Sequence, residues 1–185
     1  MNTNICWMCG YDANSSEHRL KKSDIVRFYG RGPYKGDRAP IHFRGDQRTK
    51  IQGTDSRTIK YKKIICQTCN TTTSQPFDLA YEHLISWLCK NETRVLHRRF
   101  INFADVFSAD FEAEQRNLYK YFAKSFGCRL AEAGQAVPAD IVELLNKDQF
   151  QTALRITFSV NRRYIEMASL SSQRIYWERW PYCHD

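Results

Sequence analysis

The chain has 185 residues, 42% hydrophobic and 26% charged, a globular composition that excludes a collagen repeat, a coiled-coil rod and a disordered tail. An aromatic content of 14% supplies a core for one domain, or for a small module with a second lobe. The formal net charge of +8 is concentrated: residues 27–63 carry eleven Lys and Arg against Asp37, Asp46 and Asp55, and the remainder is neutral.

The opening residues, Met1-Asn2-Thr3-Asn4-Ile5-Cys6, lack the charged and apolar regions of a signal peptide, and no run reaches the ~18 apolar residues of a membrane span. A cytoplasmic location without a membrane partner is the expectation. Cys6-Trp7-Met8-Cys9 then forms the first of two Cys-x-x-Cys pairs, the second being Cys66-Gln67-Thr68-Cys69. A two-residue spacer lets both thiolates of a tight knuckle point at one ion, and two knuckles complete the tetrahedral shell of structural zinc. Zinc held by Cys6, Cys9, Cys66 and Cys69 is therefore expected. An odd total of seven cysteines argues against a disulfide framework.

Between the knuckles lie Ser15-Ser16-Glu17-His18-Arg19-Leu20, the basic segment 27–63, and Ile59-Lys60-Tyr61-Lys62-Lys63-Ile64-Ile65, which reads as a strand entering the second knuckle. Clustered cations are what a polyanion-binding face requires, because they displace its condensed counterions. Nucleic acid, DNA before RNA, is the expected partner. The candidate phosphate contacts are Arg19, Lys21, Lys22, Arg27, Arg31, Lys35, Arg38, Arg44, Arg48, Lys50, Lys60, Lys62 and Lys63. The alternative is a solvated basic loop with no specific partner.

Asn70 directly follows the last knuckle cysteine. The order Cys-x-x-Cys, Glu-His, strand, Cys-x-x-Cys-Asn resembles the HNH (His-Me finger) endonucleases, in particular the subset stapled by a four-cysteine zinc. The resemblance covers residues 5–85 and implies a ββα-metal fold in which a hairpin and a helix present the catalytic groups. On that resemblance His18 matches the general base, and Glu17 and Asn70 match the ligands of a catalytic Mg²⁺ or Mn²⁺. The acidic residue here is Glu where Asp is commoner. Lys60-Tyr61-Lys62-Lys63 stands where many members carry the Asn that steadies the histidine loop. The residue types suit the chemistry: imidazole titrates near neutral pH, and hard divalent cations take oxygen donors. The rival reading makes Glu17 and His18 surface residues and Asn70 a helix cap.

Further along, Ser74-Gln75-Pro76-Phe77-Asp78 reads as a helix start that continues from Leu79 to Leu88, with Asp78 and His83 as second-tier site candidates. Arg94 to Phe100 reads as a short strand with His97 outside. Leu118, Phe122, Phe126 and Leu130 recur every four residues, so a core helix is expected over Phe111–Leu130, stopping at Gly134. Pro138-Ala139-Asp140 opens a shorter helix through Leu145, and Ala153 to Val160 alternates like a strand. Cys89 and Cys128 fall in apolar helical patterns and read as buried side chains, while Cys183 stands beside His184. The aromatic stretch Tyr176–Tyr182 reads as core or partner surface.

Together these features predict an α+β protein: a zinc-stapled treble-clef or ββα module over 1–90, carrying the basic insertion 27–63, and a mainly helical lobe over 91–185. The expected activity is metal-dependent hydrolysis of nucleic-acid phosphodiesters. The alternatives are a non-catalytic zinc module that binds nucleic acid, and an interaction module that docks a protein partner or a second copy of the chain.

Overall fold

The structure, a computed structural model, describes residues 5–36, 39–44 and 46–159. Arg38, Val160, Cys183, His184 and the aromatic stretch Tyr176–Tyr182 lie outside the described residues.

The first knuckle closes on itself. The Gly10 N–H donates to Cys6 O at 2.8 Å and the Cys6 N–H to Tyr11 O at 2.6 Å. Gly10 has φ +80°, a conformation glycine adopts without a Cβ penalty. The chain then runs back along residues 59–65. Ser15 N–H donates to Ile65 O at 2.9 Å, Tyr61 N–H to Glu17 O at 2.8 Å, and Arg19 N–H to Ile59 O at 2.8 Å. Bridges pair Ser15 with Ile65 and His18 with Lys60, so 60–65 spends two more residues than 15–18 on the same length. This bulge is why the strand expected over 59–65 is only partial, and a 3₁₀ turn, Arg57–Ile59, takes its first residue.

Between the paired segments the basic insertion is folded. It contains the end of α1 (Lys22–Tyr29) and an antiparallel hairpin of β1 (Ile41–Arg44) and β2 (Gln47–Lys50), with Phe43 opposite Arg48. Ile25, Tyr34, Ala39, Ile51 and Ile59 form a small core of their own. A segment with such a core is more than a solvated basic loop.

A wide π turn over Cys69–Thr73 joins the second knuckle to α2 (Gln75–Lys90), with Pro76 in the first turn, where its missing N–H costs nothing. Phe77, Ala80 and Leu84 make its buried stripe, each such side chain removed from water contributing about 1.5–3 kcal/mol for the larger apolar ones. Residues 92–98 form a helix, α3 (Glu92–Arg98), where a strand was expected. Val95 and Leu96 fall on one side of it and line an apolar groove with Leu88 and Phe100, so contact with α2 overrides the local β preference. After α4 (Phe103–Phe107), capped by Asn102 Oδ1 on the Ala104 N–H at 3.1 Å, comes the long α5 (Phe111–Glu132). It stops before Gly134, whose φ of +73° ends the helical path as expected. The shorter helix follows as α6 (Ala139–Lys147).

The strand expected from Ala153 is absent among the described residues. Instead, Leu154 O accepts from Tyr119 Oη at 2.6 Å, and the Phe158 ring meets Phe122 edge-on with centroids 5.6 Å apart. Side chains of α5, not a neighbouring strand, satisfy this segment.

α5 lies at the centre, against α2, α4 and α6. Its buried positions are Leu118, Ala123, Lys124, Gly127 and Cys128, while Phe126 is 39% exposed. The helix forms where periodicity places it, with Leu118 buried and Phe122 packed against the core, but beyond them the buried stripe shifts to Ala123, Gly127 and Cys128. Trp7 of the first knuckle decides this: a Cβ on Gly127 would stand 2.4 Å from the Trp7 ring. One core cluster joins Cys6, Met8, Ile65 and Cys69 to Phe77, Ala123, Ile141 and Leu144, so knuckles and C-terminal helices share a core. Among the described residues the architecture is thus mixed, mostly helical with one small two-stranded sheet. No helix of the described residues is long and apolar enough to cross a membrane.

Candidate metal centre and the His18 surface

The Sγ atoms of Cys6, Cys9, Cys66 and Cys69 all lie within 4.8 Å of one another, with Cys9 and Cys66 at 3.6 Å. Tetrahedral zinc with Zn–S near ~2.3 Å separates its sulfurs by about 3.8 Å, so this set fits a structural metal such as zinc. Three of the four are buried and Cys9 is exposed. Burial raises the Cys66 thiol pKa, but the Cys69 N–H at 3.4 Å and the neighbouring thiols outweigh it and bring the group below its usual value. Burial pushes Cys69 far up. The knuckles are held by protein as well: Asn146 Nδ2 donates to Met8 O at 2.6 Å, and the Gln67 N–H to Asn14 Oδ1 at 2.8 Å.

Glu17 and His18 are neighbours on an extended segment and turn to opposite faces. Glu17 faces α5, where Lys124 Nζ lies 3.0 Å from its Oε2. The Lys124 side chain is only 2% exposed. Asp78 Oδ1 lies 3.8 Å from the same ammonium and 2.8 Å from Lys21 Nζ, so Asp78 joins the Glu17 neighbourhood. His83 does not; its ring meets Phe107 edge-on at 5.2 Å. Asn70 Nδ2 donates to Ser15 Oγ at 2.9 Å, and Ser15 shares a face with Glu17, two residues on along the extended segment. Asn70 Oδ1 is buried and without a hydrogen-bond partner among the described residues. A buried orphan oxygen and a carboxylate suit a hard cation in donor type. Lys124 is the cation the fold already supplies to Glu17.

His18 looks the other way. Its Nε2 lies 3.1 Å from Thr54 O, and because a carbonyl only accepts, the ring proton sits on Nε2 and Nδ1 keeps the lone pair. Burial, helped by the Lys60 ammonium, holds its pKa below the ordinary imidazole range, so the ring is neutral at pH 7. The Thr54 carbonyl thus fixes the orientation of the ring.

The candidate phosphate contacts divide into engaged and open groups. Arg19 pairs with Glu132 and stacks on Tyr61 at 4.5 Å. Lys21 is held by Asp78, and Arg27 by Asp24 at 3.1 Å and Ser86 Oγ at 3.2 Å. Lys22 and Lys60 both grip Asp55, at 2.7 and 3.0 Å. Lys50 Nζ donates to Gly36 O at 3.1 Å, and Arg48 lies over the Phe43 ring at 5.5 Å. Arg31, Lys35, Lys62 and Lys63 are exposed and make no ion pair among the described residues. Arg44 ends β1.

Lys124, Asp55 and the Thr54 carbonyl are participants that sequence reasoning missed. The one signal for Lys124 is a charge on an apolar helix, and Asp55 is one of three acids in a basic segment. Cys128 is fully buried, its thiol pushed up to about 12 by burial, and the half-buried Cys89 lines the apolar groove. Neither is near enough to the four-cysteine cluster to count among its ligands. No family model matches the chain, and neither the curated proteins nor the solved structures give a match.

Proposed function

We propose that this protein is an endonuclease that hydrolyses nucleic-acid phosphodiester bonds, with His18 as general base. The observation that carries the reading is an imidazole fixed through Nε2 by the Thr54 carbonyl, beside an Asp55 that Lys22 and Lys60 both grip. Nδ1 is then free to take a proton from water, while nearby lysines attract the phosphate. The Mg²⁺ or Mn²⁺ expected on Glu17 and Asn70 would sit on the face away from His18, where Lys124 already neutralises Glu17, so no part of the step at His18 is assigned to it. The zinc-binding cysteines act only in structure: they anchor the 59–65 segment, and with it the backbone that pairs with His18. The exposed cations Arg31, Lys35, Lys62 and Lys63 would grip phosphates along a strand without reading its bases.

A second reading is favoured by one observation. Lys124 neutralises Glu17 from within the core, and Glu17 and His18 face apart, which suits a zinc-stapled module that binds nucleic acid and does not cut it. Nicking of supercoiled plasmid by zinc-loaded protein, with Mg²⁺ or Mn²⁺ added, distinguishes the two. Conversion that disappears in His18→Ala supports the nuclease. Wild-type protein that retains DNA in a gel shift and leaves it intact establishes the binding module.

A further inference from the structure

Asp55 lies in the loop between β2 and the 3₁₀ turn, with its side chain 59% exposed. Groups from distant parts of the chain meet on it. Its Oδ2 accepts from Lys22 Nζ at 2.7 Å and from Thr54 Oγ1 at 3.4 Å. Its Oδ1 accepts from Lys60 Nζ at 3.0 Å and lies 3.8 Å from His18 Nε2. Lys22 opens α1, and Lys60 is held opposite His18 by the ladder that ends at the second knuckle, so the backbone sets these nitrogens around one point.

An exposed ion pair adds little to folding, because water solvates both partners nearly as well as they solvate each other. Stability therefore does not commit the two lysines to Asp55. A phosphodiester offers the same paired anionic oxygens as a carboxylate, and ammonium groups bind either. We propose that Lys22 and Lys60, beside His18, form a cradle for one backbone phosphate of a nucleic acid, and that Asp55 fills the cradle in the free protein as a stand-in the incoming phosphate displaces. The cradle rests on the nucleic-acid reading above and adds a brake to it: weak polyanions lose to the tethered carboxylate, and a strand held at several points wins.

Asp46 supplies the control, since it is exposed in the same basic segment and makes no ion pair among the described residues. Its removal changes net charge by the same amount as removal of Asp55. Binding of a fluorescent oligonucleotide, single-stranded and duplex, is measured by anisotropy at low salt without added divalent ions. Asp55→Asn should tighten binding about ten-fold, with Asp55→Ser behaving alike, and Asp46→Asn should change it by less than about two-fold because its effect is diffuse and screened. Adding Lys22→Gln and Lys60→Gln to Asp55→Asn should abolish the gain. Equal gains from the Asp55 and Asp46 variants, no gain from Asp55→Asn, or a gain that survives loss of both lysines would each overturn the cradle. Melting profiles that match wild type show that the variants fold. Because no cleavage is read, a protein that binds through the cradle and never cuts would defeat the nuclease reading while leaving the cradle in place.

Discussion

The two faces of the 15–19 segment each carry a lysine–carboxylate pair at the same separation, 3.0 Å, yet the pairs are physically different. On the inward face Lys124 and Glu17 are 2% and 15% exposed; on the outward face Lys60 and Asp55 are 24% and 59% exposed. Both charges of the inner pair have left water and depend on each other, whereas the outer pair trades solvent for a partner at almost no net gain. Losing one partner is therefore costly in the inner pair and nearly free in the outer one.

The cysteine centre should break both faces at once, because residues 59–65 run directly into the second knuckle. A structural zinc site contributes about 10–16 kcal/mol in small zinc domains, as much as a whole domain's stability. Cys69→Ser, or zinc removal by a chelator, should abolish cooperative melting followed by circular dichroism. Superimposable melts with and without metal would remove zinc from the account of the fold.

The inner pair comes next in size. Lys124→Met leaves the largely covered Glu17 without its partner and should lower the unfolding free energy by about 3–5 kcal/mol in urea titrations. Adding Glu17→Gln should recover most of that loss, since a neutral, well-packed pair no longer carries the desolvation cost. Lys22→Gln on the outer face should leave the urea midpoint almost unmoved. A Lys124→Met protein as stable as wild type would erase the distinction between the faces.

The smallest effect is a pH dependence on the outer face. His18 has its folded pKa below its unfolded value, so the fold favours the neutral ring. Its contribution is present above the ordinary imidazole range and is lost as pH falls through that range toward the folded value. Asp55 is depressed by its lysine hydrogen bonds, so its contribution persists through mild acid and is lost only in strong acid. Between neutral pH and about pH 5 the outer face should therefore weaken through His18 and not through Asp55. Urea unfolding across that range should show a steeper loss for wild type than for His18→Gln. Parallel profiles would mean that the ring titrates as it does in the unfolded chain.

Several features were legible before any tertiary contact was known, because each depends on nearby residues. Each Cys-x-x-Cys spacer places its two thiolates by local turn geometry, while packing brings the two knuckles within 4.8 Å of each other. Pro76, Gly134 and Pro138 mark helix limits through their own backbone constraints, and α2, α5 and α6 form where these residues allow. Concentration of charge in residues 27–63 is likewise a property of the chain itself. What periodicity could not supply was a partner. Phe126 stays exposed because Trp7, 120 positions earlier, rests its ring on Gly127. Residues 92–98 become helix because α2 offers an apolar flank, and Ala153 onward fails to become a strand because no strand edge lies beside it among the described residues. Glu17 meets Lys124 across the core, and Asp55 meets Lys22 across α1's first turn. Composition and spacing determine which side chains can bind metal, carry charge or start a helix, since those are local properties. Which carboxylate is buried against a lysine and which is left in water is decided only when distant segments pack, because desolvation belongs to the surroundings and not to the residue.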